Sequence, residues 1–306
     1  MNSLSIAKPE VALPRVGGAA SVRDFVELTK PRLTSLVSLT ALVGYMSGAG
    51  ARGASDLPQL VAALGGTTLL AAGGCALNMV MEHELDARME RTRTRPIPSG
   101  RLQPFESAIF GMALTALGMF LLIAGTNALT SLLGVVAVVS YLFVYTPLKK
   151  TTGLCTIAGA LPGALPPAMG WTAATNQIEP GTWVLFSILF LWQLPHFLAI
   201  AWMRREDYER GGFPMLTVVD PEGGSAGRQA VLHCLALLPV SLLPSVLGFA
   251  GAWYFFTALV LSLAYTAAAG RLAWVRTTQA ARGMFLASLV YLPVLLTVLM
   301  LDGVAR

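Results

Sequence analysis

The stretch Asn78–Pro96, NMVMEHELDARMERTRTRP, follows a long apolar run and places four carboxylates and four arginines at its end. Asn78, Glu82 and Asp86 are spaced four residues apart, so at about 100° per residue they share one face of a helix. Two carboxylates one turn apart repel each other, and a divalent cation would remove that repulsion. Mg²⁺ suits such a face, because it takes oxygen ligands from one or two carboxylates and completes its shell with water and phosphate oxygens. The stretch therefore favours a metal–diphosphate site; the alternative is a charged cap where a helix leaves the bilayer.

The composition is that of an integral membrane protein. Of the 306 residues, 55% are hydrophobic and 12% are charged, and the mean hydropathy is +0.66, whereas a soluble domain carries about 25% charged residues. Apolar runs of about 17–25 residues predict membrane spans. The sequence predicts an all-α bundle of nine transmembrane helices, at Leu33–Gly50, Leu57–Met81, Ser107–Ala124, Leu129–Tyr145, Leu154–Ala173, Trp183–Met203, Ala230–Phe249, Ala252–Gly270 and Gly283–Leu301.

The basic residues predict the orientation of these spans. With the N-terminus inside, 19 of the 21 Lys and Arg residues fall on the inner side, and only Arg52 and Arg306 fall outside. Under the positive-inside rule this predicts a cytoplasmic N-terminus and an outer C-terminus. We expect the membrane to be the plasma (inner) membrane. The net charge of +5 lies on one face, which suits anionic lipid headgroups or an anionic substrate and not nucleic acid.

The N-terminal residues differ in composition from the rest of the chain. Residues 1–22 are rich in Pro, Gly and Ala and lack periodicity, so they are predicted to be a disordered tail before a single transmembrane domain, 23–306.

The three cysteines, Cys75, Cys155 and Cys234, lie inside apolar runs. This predicts small buried side chains and neither a disulfide nor a zinc site.

Three more motifs lie at the predicted inner membrane surface or within a membrane span. Lys30-Pro31-Arg32 precedes the first span and Tyr145-x3-Lys149 ends the fourth; their charges either contact a diphosphate or anchor the chain in headgroups. The fifth span contains three prolines, which a membrane helix tolerates only where neighbours or a cavity satisfy the freed carbonyls. This favours a helix that lines a central cavity opening to the cytoplasmic side.

His196 lies at membrane depth beside Trp192 and Gln193. Ionisable residues inside a membrane are functional candidates. His196 and Asp207 are eleven residues apart, so they share a helix face at roughly 16 Å. A charged group at Asp207 and an apolar or ringed co-substrate near His196 fit this geometry. The alternative is a histidine that only bonds a neighbouring helix.

The motif Asn78-x3-Glu82-x3-Asp86, followed by Arg91-Thr92-x2-Arg95-Pro96, resembles the first acidic motif of the intramembrane, UbiA-type prenyltransferase superfamily, which includes the aromatic-quinone prenyltransferases. Further elements resemble one branch, the protoheme IX farnesyltransferases or heme O synthases. The resemblance runs from about residue 24 to about residue 300. The elements that resemble this branch are Leu28–Arg32, Tyr145–Lys149, Pro162–Trp171, Leu191–Phe197 and Asp207-Tyr208. Of these, the Trp-Gln-x-Pro-His-Phe element, residues 192–197, is specific to the branch, whereas the Asn78-x3-Glu82-x3-Asp86 motif marks only the superfamily.

This resemblance implies a nine-helix bundle with a cytoplasmic active site and transfer of farnesyl from farnesyl diphosphate to a vinyl group of heme b, giving heme O and diphosphate for terminal oxidases. The implied cofactor is Mg²⁺, and the implied partners are both substrates and membrane lipids; contact with a downstream heme-modifying enzyme or oxidase stays open. By the same resemblance, the metal is held by Asn78, Glu82, Asp86 and Asp207, and the diphosphate is bound by Arg32, Arg91, Arg95 and Lys149. The implied catalytic residues are Asp86, Tyr145 and Lys149, and the implied heme-binding residue is His196.

The sequence departs from the superfamily pattern at two positions. Glu82 stands where Asp is commoner, and Met203 stands where the second acidic motif usually has a carboxylate, which puts a second metal in doubt unless Glu206 compensates. Three other functions are compatible with parts of the sequence: a prenyltransferase of an aromatic quinone precursor, a non-catalytic heme-binding assembly protein and an anion transporter. A transporter is disfavoured, because transporters gather charges near the bilayer midplane and here they lie at one face.

Overall fold

The structure is a computed structural model that describes residues 20–52 and 56–304. Residues 1–19 of the predicted tail lie outside the described residues, as does Arg306. The last residue of that predicted tail, Val22, is the first residue of a helix. Every regular element in the described part is helical, in the order α1 (Val22–Leu28), α2 (Pro31–Arg52), α3 (Leu57–Asp86), α4 (Pro104–Gly125), α5 (Ala128–Val139), a π-helical turn (Ser140–Tyr145), α6 (Thr146–Leu148), α7 (Cys155–Thr175), α8 (Pro180–Met203), α9 (Arg205–Arg210), α10 (Leu216–Val219), α11 (Gly224–Val246), α12 (Ala252–Val275) and α13 (Thr278–Val304).

Eight helical segments among the described residues are long and apolar enough to cross a membrane. They are α2, α3, α4, the continuous segment Ala128–Leu148, α8, α11, α12 and α13. The all-helical, multi-pass membrane fold predicted from the sequence is thereby confirmed. The predicted count of nine spans is not confirmed, because the mean hydropathy of α7 is lower than that of the eight helical segments.

The lower apolar content of α7 has a structural reason. Three prolines and three glycines lie within its 21 residues, and it packs against α2, α3, α5 and α8. A helix shielded by its neighbours needs less apolar surface than one that faces lipid. Residues at the two termini of α7 show that it runs the length of the bundle. Near its start, Cys155 Sγ is 3.6 Å from Met215 Sδ, and near its end the Thr172 carbonyl accepts a hydrogen bond from Asn127, in the α4–α5 loop.

Helices α2 and α7 cross with their backbones in contact. A Cβ atom on Gly44 would lie 1.9 Å from the Pro167 carbonyl oxygen, and one on Gly170 would lie 1.9 Å from the Ala41 carbonyl oxygen. Small residues permit such close approach in membrane bundles, where packing and not hydrophobic burial drives helix association. The crossing fixes α7 at the centre of the molecule.

The ends of α3, α6 and α8 lie at one end of the bundle, which we call the charged end. A small apolar cluster there contains Met89 after α3, Cys155 at the start of α7, Tyr208 in α9, and Phe213 and Met215 just after α9. This cluster joins the loop after α3 to α9 and so brings the two predicted acidic motifs to the same end. The three cysteines are buried, as predicted.

Candidate active site

A buried ion pair joins α3 to the end of α6 at the charged end. Lys149 Nζ donates to both carboxylate oxygens of Glu82, at 3.2 and 3.0 Å, and the two residues are 9% and 2% exposed. The Lys149 ammonium also lies 4.5 Å from the centre of the Phe213 ring, a cation–π contact. Burial alone would lower the pKa of Lys149, but Tyr145 and the Glu82 carboxylate raise it above its ordinary value. Lys149 therefore stays charged.

A second ion pair lies one helical turn further along α3. Arg95 Nη1 donates to Asp86 Oδ2 at 2.6 Å, and Asp86 is 1% exposed. The loop after α3 folds back to make this contact, and the Thr92 hydroxyl holds it there by donating to the Asp86 carbonyl at 2.8 Å. Asp86 Oδ1 is buried without a hydrogen-bond partner among the described residues. We call Glu82, Asp86, Arg95 and Lys149 the acid–base cluster.

The third predicted metal ligand on α3, Asn78, contacts the chain just beyond the π-helical turn. Its side-chain Nδ2 donates to the Thr146 hydroxyl at 3.1 Å, and Asn78 and Thr146 are 4% and 1% exposed. The π-helical turn also stacks Tyr145 on Tyr141, with the ring centres 5.7 Å apart and the planes 11° from parallel. A one-turn π segment inside an α-helix is common at functional sites.

Asp207 in α9 contacts the loop after α3 but not the acid–base cluster. Its Oδ1 accepts hydrogen bonds from the Glu90 backbone N–H at 3.2 Å and from Arg210 at 2.7 Å. The Arg210 hydrogen bond lowers the pKa of Asp207, although burial opposes this. Arg91, in the same loop, lies over the Tyr208 ring at 5.9 Å. The second acidic motif therefore faces the first across one loop.

Lys30 lies in the Leu28–Arg32 element, in which only Arg32 was predicted to bind diphosphate, and the structure makes Lys30 a functional candidate as well. It has a φ of 49°, and it directly precedes Pro31. Left-handed backbone is uncommon for a residue other than glycine. Asn176 and Arg276 adopt it where they end a helix, whereas Lys30 adopts it just before a helix begins, and strained residues of this kind cluster at functional sites. The residue as a whole is half-buried. Removal of its ammonium from water lowers the pKa of Lys30, and the charges of Glu82, Arg95 and Lys149 also act on it. The residue with this strained backbone thus carries a charge within electrostatic range of the acid–base cluster.

Arg32, predicted to bind diphosphate, lies elsewhere. It is exposed, and no side-chain contact in the described part of the chain connects it to the acid–base cluster. Of the predicted residues, the structure brings together Asn78, Glu82, Asp86, Arg95, Tyr145 and Lys149 at the charged end. Arg91 and Asp207 border this group, and His196 lies apart from it.

His196 is held in a separate aromatic cluster on α8 and α13. Its ring stacks on those of Trp192 and Phe285, each with a centre 5.1 Å away. The Ser288 hydroxyl gives its proton to the Phe285 carbonyl at 2.5 Å, so at 2.7 Å from His196 Nδ1 it acts as acceptor. Nδ1 therefore carries the imidazole proton, and Nε2 is left with a lone pair and no hydrogen-bond partner among the described residues. No sequence signal pointed to Ser288.

The donor set at the charged end fits a magnesium ion that is shared with a ligand. No three His, Cys, Asp or Glu side chains in the described residues are grouped to hold a metal by themselves. The free Asp86 oxygen nevertheless supplies a buried anionic ligand, and Mg²⁺ normally uses one or two carboxylates together with substrate phosphates.

The fold and the site together define a multi-pass membrane protein with a buried acid–base cluster at one end of a helical bundle. The chain belongs to the UbiA prenyltransferase family, whose profile matches residues 37–290. It is 44% identical to a protein from Solibacter usitatus named protoheme IX farnesyltransferase, over 92% of this chain and 99% of that one. It is 45% identical to a protein of the same name from Myxococcus xanthus, over 92% and 95%.

A solved structure shares the fold. A UbiA homologue from Archaeoglobus fulgidus bound to GPP and Mg²⁺ superimposes with a TM-score of 0.68, covering 92% of this chain and 100% of that one at 15% identity.

Proposed function

We propose that the protein transfers the farnesyl group of farnesyl diphosphate to a vinyl group of heme b, giving heme O and diphosphate. The observation that carries the proposal is the acid–base cluster, in which two buried carboxylates, one with a free oxygen, face two cations at the end of a membrane bundle. The substrates follow from the two relatives named protoheme IX farnesyltransferase. An enzyme for two membrane-partitioning substrates is expected to carry such a cluster at the membrane surface.

Magnesium is the cofactor that the donor set suits. Asn78, Glu82 and Asp86 would hold it together with the diphosphate, and Asp207 in α9 would contribute a carboxylate from the opposite wall of the site. When bound, Mg²⁺ supplies neutralisation of the charge that develops on the leaving group.

The cations of the site assist departure of the diphosphate. The bond between farnesyl C1 and oxygen breaks, and its electron pair leaves with the diphosphate. Lys149 and Arg95 are already fixed by their carboxylate partners, so they need little reorganisation to stabilise the leaving oxygens. Lys30 adds a cation that has no ion-pair partner in the described part, and Arg91 borders the site from the α3–α4 loop.

The allylic cation is shielded by the bundle and faces aromatic rings. The stacked rings of Tyr145 and Tyr141 follow Lys149 towards the membrane interior, and a ring face attracts positive charge. The vinyl π electrons form the new carbon–carbon bond with farnesyl C1. The carbon next to the porphyrin then takes hydroxide from water, which releases one proton and gives the hydroxyethylfarnesyl group.

His196 is the candidate contact for heme. Its Nε2 lone pair is free, which is the state an axial iron ligand requires, and Trp192 and Phe285 fix the ring plane. Heme b is the substrate that this histidine would orient, either by ligating the iron or by packing against the macrocycle.

The membrane and the orientation are part of the proposal. We place the charged end at the cytoplasmic face of the inner membrane, because Arg88, Arg91, Arg93 and Arg95 gather there and basic residues prefer that face. Contact with a downstream heme-modifying enzyme or oxidase stays a prediction.

The deciding experiment is mass spectrometry of heme extracted after incubation of the purified protein with heme b, farnesyl diphosphate and Mg²⁺. We expect a heme product enlarged by one farnesyl group and one hydroxyl group, and none from Asp86→Ala. A parallel incubation with 4-hydroxybenzoate tests the aromatic acceptor. A prenylated benzoate without heme O would overturn the heme assignment, and full activity of Asp86→Ala would overturn the metal–diphosphate assignment.

A further inference from the structure

A chain of three hydrogen-bonding groups connects α3 to the π-helical turn. Asn78 Nδ2 lies 3.1 Å from Thr146 Oγ1, and Thr146 Oγ1 lies 2.9 Å from the Tyr141 carbonyl oxygen. The Thr146 backbone N–H donates to that same carbonyl. Asn78 and Thr146 are both buried, so each group in the chain depends on the next for its partner.

The proton count along this chain determines which way the Asn78 amide faces. A carbonyl oxygen only accepts, so the single hydroxyl proton of Thr146 goes to Tyr141. The Thr146 oxygen can then only accept from Asn78, and only the amide nitrogen can donate to it. The amide oxygen of Asn78 therefore points away from Thr146. Amide orientation is invisible to shape alone, since oxygen and nitrogen are nearly equal in size.

The π-helical turn makes this arrangement possible. In a regular α-helix the N–H of residue 146 would bond the carbonyl of residue 142. The one-residue expansion gives it the carbonyl of Tyr141 instead, where the hydroxyl of the same threonine also reaches. Both lone pairs of that carbonyl are then used by Thr146, which holds the hydroxyl in one rotamer.

We propose that Thr146 is a positioning residue that turns the oxygen of Asn78, and not its nitrogen, towards the metal–diphosphate site. This inference rests on the proposed function, because it assumes that Asn78 is an oxygen ligand. Partners that orient a metal ligand without touching the metal typically change metal affinity about 10- to 100-fold when they are removed. Thr146→Val keeps the side-chain shape and removes the oxygen, so it frees the Asn78 amide to face either way.

The test measures binding of Mn²⁺ in the presence of inorganic pyrophosphate by electron paramagnetic resonance, on the full-length protein in detergent. We expect the dissociation constant of Mn²⁺ to rise tenfold or more in Thr146→Val and to stay within about twofold of wild type in Thr146→Ser. The matched control is Thr172→Val. Thr172 is also fully buried and its hydroxyl pairs with Thr130, but it lies at the opposite end of the bundle.

A second variant separates orientation from packing. Asn78→Asp carries an oxygen on both arms, so its affinity is independent of which arm faces the site. We expect Thr146→Val to weaken Mn²⁺ binding in the wild-type background and to have little effect in the Asn78→Asp background. Equal loss in both backgrounds, or no loss in either, would overturn the role of Thr146. Failure of the wild-type protein to bind Mn²⁺ and pyrophosphate above the level of Asp86→Ala would instead contradict the proposed metal–diphosphate site.

Discussion

At the scale of single residues, Lys30 differs from the other cations of the site in how it is held. Lys149 and Arg95 are each bound to a buried carboxylate, whereas Lys30 forms no ion pair within the described residues. Its left-handed backbone conformation is unfavourable for lysine, and the residue before a proline is restricted further. Such strain is retained where the placed group has a use. An unneutralised ammonium beside two ion pairs is suited to an incoming diphosphate.

The first prediction is that Lys30→Gly separates activity from stability. Glycine adopts positive φ without strain, so the thermal midpoint should be unchanged or higher, whereas kcat/KM for farnesyl diphosphate should fall about 100-fold, the cost of roughly 2.7 kcal/mol of lost charge stabilisation. The control is Lys150→Gly, because Lys150 is exposed on the same face. A large loss of stability with retained turnover would show that Lys30 is a structural anchor.

The second prediction is a pH effect with a definite sign. Removal of the Lys30 ammonium from water lowers its pKa, so this lysine loses its charge as the pH rises through a value below the usual range for lysine. The pKa of Lys149 is raised, so Lys149 remains charged there. We expect kcat/KM for farnesyl diphosphate to decline on this alkaline side, and Lys30→Arg to move the decline to higher pH. An identical profile in Lys30→Arg would exclude Lys30 as the titrating group.

The third prediction concerns His196 and the hydroxyl that fixes its tautomer. Ser288→Ala removes the acceptor for Nδ1, so the imidazole proton can occupy either nitrogen and heme affinity should fall about tenfold. A titration of heme b followed by absorbance measures this. Ser262→Ala is the control, because Ser262 is a buried helix hydroxyl that bonds Tyr291 and not His196. Unchanged heme affinity in Ser288→Ala would return His196 to a packing role.

At the scale of the elements, the crossing of α2 and α7 decides whether the bundle can form around the site. The fourth prediction is that Gly170→Ala is strongly destabilising, because its Cβ would lie 1.9 Å from the Ala41 carbonyl oxygen and only a shift of the backbone relieves that contact. Overpacking of this kind costs about 1–3 kcal/mol or more. Gly270→Ala in α12 meets nothing within 4 Å and should keep its thermal midpoint.

The elements also show where the sequence suffices and where it does not. The four-residue spacing predicted that Asn78, Glu82 and Asp86 share a face, because that relation is local to one helix. The pairing of Glu82 with Lys149 and of Asn78 with Thr146 depends on how α3 packs against the segment around the π-helical turn, and no local pattern encodes it. The position of the Lys30 charge depends on a left-handed backbone conformation that lysine rarely adopts. The three prolines of α7 did predict an internal helix, but they also lowered its apolar content below that of the other spans.

At the scale of the whole molecule, the contacts at the ends of the helices give the chain a direction. Lys30, at the start of α2, interacts with the acid–base cluster at the charged end. Asp302, near the end of α13, accepts a hydrogen bond from the Tyr254 backbone N–H in the first turn of α12, whereas the other end of α12 leads into the basic α12–α13 loop. The two termini of the described bundle therefore lie at opposite ends. Eight spans would return the chain to the end where it began, so we expect α7 to supply a ninth crossing.

The fifth prediction is that α7 crosses the membrane. Lys150 before α7 and Gln177 after it are both exposed, and the native cysteines are buried, so single cysteines at these positions can be labelled selectively in a background with Cys75, Cys155 and Cys234 replaced by alanine. A membrane-impermeant maleimide added to intact spheroplasts should label Gln177→Cys, and Lys150→Cys should react only after the membrane is opened, because the basic loops prefer the cytoplasmic side. Arg93→Cys should behave like Lys150→Cys. Labelling of Lys150→Cys and Gln177→Cys from the same side would mean that α7 turns back within the bundle, and labelling of Arg93→Cys from outside would reverse the proposed orientation.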